Sequence, residues 1–162
     1  MSRDLGARLP PTLFERLRGD ELRSRAGEAV LVATLDQGGD PHLALLSYGE
    51  VVAVGEGLLR LATYGGSSTT ANLRRTSHVT FCLVADGAAY YIKGSARERP
   101  TPRALHGLVV FEVTVTSVLE DRERGMPLTS GVTFTCEGGE EVLLNRWQPV
   151  VAALLALGTA TT

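Results

Sequence analysis

The chain has 162 residues, room for one domain and not for two full cores. Hydrophobic residues make up 44% and charged residues 21%, which excludes a mostly disordered chain. A net charge of −2 excludes a field that gathers nucleic acid or acidic lipid, and the longest apolar run, Val150 to Leu157, is too short to cross a membrane.

The opening Met1-Ser2-Arg3-Asp4 leads into no apolar stretch, so no secretory leader is expected. Cys82 and Cys136 have no metal-ligand spacing and are expected as reduced, buried thiols of a cytoplasmic protein. Pro10-Pro11-Thr12 followed by Leu13, Phe14, Leu17 and Leu22 predicts a short amphipathic helix over 11–24, weakened by Gly19. Ala29 to Leu35 is apolar and β-branched, and Asp36 to Pro41 is dense in turn formers. His42 to Tyr48 is apolar again, so the three segments predict a β-hairpin. Val51 to Val54 is expected to prolong its second strand past a bulge at Gly49. Leu58 to Tyr64 predicts a further strand.

The pattern then changes. Gly65-Gly66-Ser67-Ser68-Thr69-Thr70 has no apolar side chain and leads into a short helix at Ala71 to Arg75. Glycines, hydroxyls and a helix start together form a candidate anion cradle: backbone N–H groups converge, the helix end carries partial positive charge, and small hydroxyls donate without bulk. Neither a G-x-G-x-x-G nor a Walker lysine is present. Val79 to Ala85 and Ala88 to Arg99 predict strands joined by a type I′-like turn at Asp86-Gly87. Val109, Phe111, Val113 and Val115 then alternate with Val110, Glu112, Thr114 and Thr116. Val132 to Cys136 is a short strand or an extended arm. Glu140 to Leu157 is expected to be a helix interrupted at Pro149.

Fifteen of the sixteen basic residues are arginine, and Lys93 is the one lysine. It shares a strand face with Tyr91, Ser95 and Arg97. His42, His78 and His106 are scattered and read as structural, and no metal site is expected. The single tryptophan, Trp147, follows Arg146 and is either a core anchor or a cover for a ligand. Six strands at hairpin spacing with one helix inserted predict a mainly β chain with peripheral helices. The gaps are too short for parallel crossovers. One domain is expected over 1–162: an N-terminal helix at 11–24, a barrel at about 29–120, and a C-terminal arm and helix at about 130–157.

The order VATLDQGGDPHLALLSY, LLRLATY, GGSSTTANLRR, HVTFCLV, YYIKGSARE resembles the FMN-binding split-barrel family, which includes pyridoxamine 5′-phosphate oxidases. The resemblance spans about Ala29 to Leu119. It implies a six-stranded antiparallel Greek-key split barrel and a homodimer with FMN at the interface. It also implies an oxidoreductase acting on a small molecule, with neither nucleic acid nor membrane as partner. Leu45 to Tyr48 match the strand bordering the flavin ring, with Leu45, Leu46 and Ser47 as its candidate cofactor contacts, and Thr63 matches a flavin-contacting strand end. Ser67, Ser68, Thr69 and Thr70 fall where the family holds the phosphate, and Asn72 begins the helix. Lys93 matches a basic residue before glycine, and Trp147 is the candidate cover across the dimer. Two departures stand out. Thr69-Thr70 replace the usual Arg-Lys of the oxidases, leaving Arg74 or Arg75 as candidate phosphate contacts, and Thr69 also stands where deazaflavin-using relatives carry lysine. Alternatives on the same fold are therefore a flavin or haem carrier, a cofactor-free member, or a deazaflavin-dependent reductase.

Overall fold

The structure, a computed structural model, describes residues 2–158. Met1 and residues 159–162, which the expected domain includes, lie outside the described residues. One antiparallel sheet holds eight strands: β1 (Ser2–Asp4), β2 (Ala29–Leu35), β3 (Pro41–Ser47), β4 (Val51–Gly55), β5 (Leu58–Tyr64), β6 (His78–Ala85), β7 (Ala88–Arg99) and β8 (Leu108–Asp121). Its order is β3-β2-β6-β7-β8-β5-β4, with β1 on the free end of β8. Three helices accompany it: α1 (Pro11–Leu17), α2 (Ser68–Thr76) and α3 (Glu140–Ala156).

The outermost strands β3 and β4 are consecutive in the chain, joined by Tyr48, Gly49 and Glu50. The four Cα–Cα steps from Ser47 to Val51 reach about 14 Å at most. The sheet must therefore curl until its two edges adjoin, yet no ladder closes them among the described residues. This is a mainly β, split-barrel arrangement. The expected count of six strands is corrected to eight. The added strands are β1 and β4, since Val51–Gly55 pairs with β5 at the far edge instead of prolonging the hairpin.

The barrel interior follows from strand alternation. Val30, Val32, Phe81, Ile92, Phe111 and Val113 point inward and are buried. Leu13 and Leu17 of α1 and Leu154 of α3 join the same core. The turn at Asp86-Gly87 has positive φ at both residues, as a type I′ turn requires.

Two helix expectations are corrected. The first helix ends at Leu17, and a 3₁₀ turn at Leu22–Arg25 follows it. Gly19 breaks the run: its φ is +86°, and a Cβ there would stand 2.6 Å from Val151 of α3. The C-terminal helix continues through Pro149 without interruption. Pro149 and Asn145, whose carbonyl loses its partner, are both exposed, while Leu143, Leu144, Trp147, Val151 and Leu154 bury the opposite stripe. The segment before α3 is an extended arm. Its one bridge is Thr133 with Glu28, supported by Ala29 N–H on Val132 O (2.9 Å) and Phe134 N–H on Gly27 O (2.8 Å).

Candidate functional site

A cleft of about 540 Å³ opens where β3 ends. Leu45, Leu46 and Ser47 of β3 form one wall, Val132, Thr133 and Phe134 of the arm a second, and Leu143, Trp147 and Val150 of α3 a third. Tyr64, His106, Glu50 and Arg146 supply polar atoms. The walls are thus mainly apolar with few polar groups, the composition of a small-molecule site. Four residues assigned to the cofactor by resemblance meet here across a hundred positions of chain.

Local contacts set the cleft's shape. Ser47 donates from both its N–H and its hydroxyl to the Glu50 carboxylate, each at 2.7 Å, which ties the strand end to the connecting turn. Arg146 Nη2 donates to the Tyr64 hydroxyl at 3.3 Å. Phe134 meets the Trp147 ring edge-on, with centroids 6.5 Å apart. Gly49 lies directly under the indole, where a Cβ would stand 2.2 Å from Trp147 Cγ. Gly49 is therefore a packing requirement, not the bulge expected from sequence. Gly49→Ala is expected to cost about 1–3 kcal/mol by overpacking. Denaturant unfolding should show the loss, and Trp147 emission should shift to the red as the ring is levered outward.

The hydroxyl-rich segment is built differently from its sequence reading. The helix begins at Ser68, so Ser68, Thr69 and Thr70 form its first turn. Ser67 is the N-cap, its Oγ accepting from Thr70 N–H at 3.2 Å. The Thr70 hydroxyl donates to Tyr64 O (2.7 Å) and also meets the Thr63 (2.7 Å) and Ser67 (3.1 Å) hydroxyls. Thr63, Thr69 and Thr70 are buried. This network seats α2 on the end of β5. Ser68 is exposed and lines a second concavity of about 390 Å³ with Asp36, His42, Ala71 and Asn72. Asn72 Nδ2 donates to the buried Thr34 hydroxyl at 3.0 Å. Arg74 forks onto the Glu98 carboxylate at 2.7 and 2.9 Å, and Arg75 donates to the carbonyls of Leu35 and Asp36. Both guanidinium groups are engaged away from the helix N-terminus.

Lys93 is exposed on the outer face of β7. It lines a third concavity, about 400 Å³, with His78, Thr80 and Thr116. Of the residues singled out from sequence, Leu45, Leu46, Ser47 and Trp147 line the first concavity, Ser68 and Asn72 the second and Lys93 the third, while Thr63, Ser67, Thr69 and Thr70 line none of the three. Strand β3 links two of them, His42 facing the second and Leu45 to Ser47 the first. The same outer face carries an apolar row across five strands. Register pairs Leu45 with Leu31, Leu31 with Cys82, Cys82 with Tyr91, and Tyr91 with Leu119. Leu43 and Leu45 are 59% and 57% exposed. Cys82 and Cys136 are both free thiols, and burial pushes the Cys82 thiol up. No group of three or more His, Cys, Asp or Glu side chains could hold a metal among the described residues. No helix among them is long and apolar enough to cross a membrane.

Tyr64, Glu50, His106 and Phe134 line the main cleft without having been singled out as ligand residues. Phe134 alone carried a signal, as a large aromatic side chain isolated in a Thr- and Gly-rich arm. The others are brought in by the curl of the sheet.

No protein-family model matches the chain. It is 35% identical over 143 residues to the uncharacterized Bacillus subtilis protein YclD, covering 88% of this chain and 92% of YclD. A Lactobacillus delbrueckii structure assigned as a pyridoxamine 5′-phosphate oxidase superposes with a TM-score of 0.55 at 17% identity, over 72% of this chain and 98% of that one. A haem-binding protein from Mycobacterium smegmatis gives 0.51 at 17% identity, over 72% of this chain and 57% of that one. With that identity and coverage, and with its sheet curled onto an unclosed seam, the chain belongs to one family with YclD, on the split-barrel fold of the pyridoxamine 5′-phosphate oxidase-like proteins.

Proposed function

We propose that the protein is a cytoplasmic, homodimeric FMN-dependent oxidoreductase acting on a small molecule, with the flavin laid along β3. The observation that carries this reading is the mainly apolar cleft in which Leu45, Leu46, Ser47 and Trp147 meet. It suits a flat aromatic ring. From His42 to Ser47 the strand advances about 17 Å at ~3.4 Å per residue, so one extended ligand can run from the α2 N-terminus to the cleft. When bound, the flavin supplies hydride and electron transfer. This chain's residues orient the ring and shield one side of it from water, Trp147 and Phe134 forming that shield.

The phosphate end offers neutral donors: the first N–H groups of α2, which have no partner within the helix, and the exposed Ser68 hydroxyl. Arg74 and Arg75 are held elsewhere. A charge-assisted hydrogen bond is worth about 1.5–3 kcal/mol. Without one, riboflavin is expected to bind within about tenfold of FMN, whereas a clamp of cations separates the two much further. The exposed apolar row around Leu43 and Leu45 supports the dimer, since an edge strand of this kind calls for cover. On this reading Lys93, outside the ring cleft, serves a ring only across the subunit seam.

Trp147 is the one tryptophan, so its emission reports the cleft directly. Titration with FMN should quench it to saturation at one flavin per chain, and the isolated protein should show flavin absorption. Unquenched emission in a flavin-saturated sample would remove the ring from this cleft. A second reading, a haem carrier, has one observation in its favour: His106 lines the same cleft and offers an imidazole. A Soret band abolished by His106→Ala would select it.

A further inference from the structure

The arm that walls the main cleft has a second concavity on its other side, about 300 Å³. Ala29, Val132 and Thr133 line both, so the two share a wall one chain thick. Arg16, Arg25, Glu28 and Tyr48 line its inner part, and Thr129 and Ser130 line it from the arm. The arm is pinned on either side of these hydroxyls, by Leu128 N–H on Gly87 O (3.0 Å) and by Ala29 N–H on Val132 O (2.9 Å).

The inner part is rich in donors and short of acceptors. Two guanidinium groups, Arg16 and Arg25, share the single carboxylate of Glu28. Arg16 takes the nearer contact, and Arg25 Nη1 stands 3.5 Å from the other oxygen. Arg25 is only 19% exposed, and its remaining ion pair is a 3.9 Å contact to the exposed Glu21. Arg25 Nε is buried without a hydrogen-bond partner, alone in this among the side-chain nitrogens and oxygens of the described residues. Such a group normally has an acceptor. Tyr48 adds a second open donor. Its oxygen accepts from Arg16 Nε at 2.8 Å, which leaves its own proton to give. Burial pushes that phenol up, against the pull of Arg16, so the proton is retained at neutral pH.

Besides Glu28, the acidic groups nearby are Asp86, which lines the concavity, and Glu21, 3.9 Å from Arg25, both exposed and screened by water. Arg122 donates to the Asp86 carbonyl at 2.7 Å and brings a third guanidinium to that turn. An oxyanion suits this donor set, because the Nε edge of an arginine takes two oxygens of a carboxylate or a phosphate at once.

We propose that this concavity is a second ligand site, binding the carboxylate or phosphate group of a small organic acid through Arg25 and Tyr48, with the arm hydroxyls closing over it. The site does not depend on the flavin reading, and protein that binds no flavin would still bind the anion. The test is a ¹⁵N NMR titration of the full chain with sodium succinate and, separately, inorganic phosphate, against sodium chloride at matched ionic strength. Expected are saturable shifts of the Arg25 Nε–H and the Gly131 amide, with an apparent Kd of about 1 mM or tighter. Saturation by either probe supports the site, and the probe that saturates names its oxyanion.

Arg25→Gln and Ser130→Glu should each weaken binding at least about tenfold, the second by placing a carboxylate among the donors. Ser130 is exposed on the arm, so Ser130→Glu should keep the parent unfolding midpoint and remains informative if Arg25→Gln fails to fold. Shifts indistinguishable from those of sodium chloride would overturn the proposal. So would saturable binding that survives Ser130→Glu.

Discussion

Trp147→Ala is expected to be the most damaging substitution in the main cleft, lowering stability by about 3–5 kcal/mol and, on the flavin reading proposed above, flavin affinity by about tenfold or more. Trp147 is 5% exposed, rests on the bare backbone of Gly49 and meets the edge of Phe134. Truncation leaves a cavity that Gly49 cannot fill, because it has no side chain to move. Collapse of the arm would be the available relief, and it would close the cleft. Circular dichroism in denaturant measures the stability, and quenching of flavin fluorescence measures the binding. Trp147→Phe keeps most of the apolar area and should retain the greater part of both. A Trp147→Ala variant with parental flavin affinity would show that the indole is core packing and no part of a ring site.

Arg60→Leu should cost about 3 kcal/mol or somewhat more, through a different mechanism. Arg60 is 2% exposed, and its guanidinium faces the end of α3. Nη1 donates to Leu154 O at 2.7 Å, Nη2 to Gly158 O at 3.4 Å, and Nε to the Glu112 carboxylate at 3.3 Å. The last carbonyls of a helix have no partner within it and carry partial negative charge, so a buried cation there is favourable. Removing it strands the Leu154 carbonyl, whereas Gly158 O keeps Arg99 Nη2 at 3.3 Å. Glu112 keeps Arg99 at 3.0 Å, which places the loss toward the low end of the range for a broken buried pair. Arg60→Lys supplies charge without the fork and should recover only part of the loss. Because α3 also carries Trp147, loosening its end should make Trp147 emission redder in the native state. Emission at the parental wavelength would show that the helix docks by its apolar stripe alone.

The strands were legible because alternation is local. Ala29–Leu35, Leu58–Tyr64 and Ala88–Arg99 begin and end where pattern and turn residues place them. β4 departs from its expected place because its pattern is uniformly apolar, and only closure of the sheet assigns it to the far edge. Gly19 and Pro149 show the same limit from opposite sides. Gly19 turns the chain out of the helix with a φ of +86°, and Val151, 132 residues away, leaves no room there for a side chain, whereas Pro149 fails to end a helix because burial on the opposite face outweighs one lost hydrogen bond. In the hydroxyl-rich segment the Ser67 cap was legible. That Thr63 lies under Thr70, so that these hydroxyls bind one another, was not.

By itself the sequence determined a mainly β architecture, the hairpins with their turns, a capped helix after the third long strand, and a resemblance that names a fold. Those properties rest on interactions within a few residues, where side-chain chemistry and backbone preference suffice. Only the tertiary structure decided which residues share a cleft: that Trp147 lies on Gly49, that Arg74 and Arg75 are held elsewhere, and that Arg25 and Tyr48 face a separate concavity behind the arm. Such neighbours are set by how the sheet curls and where α3 docks. Both depend on burial summed over the whole core, which no short stretch of chain encodes.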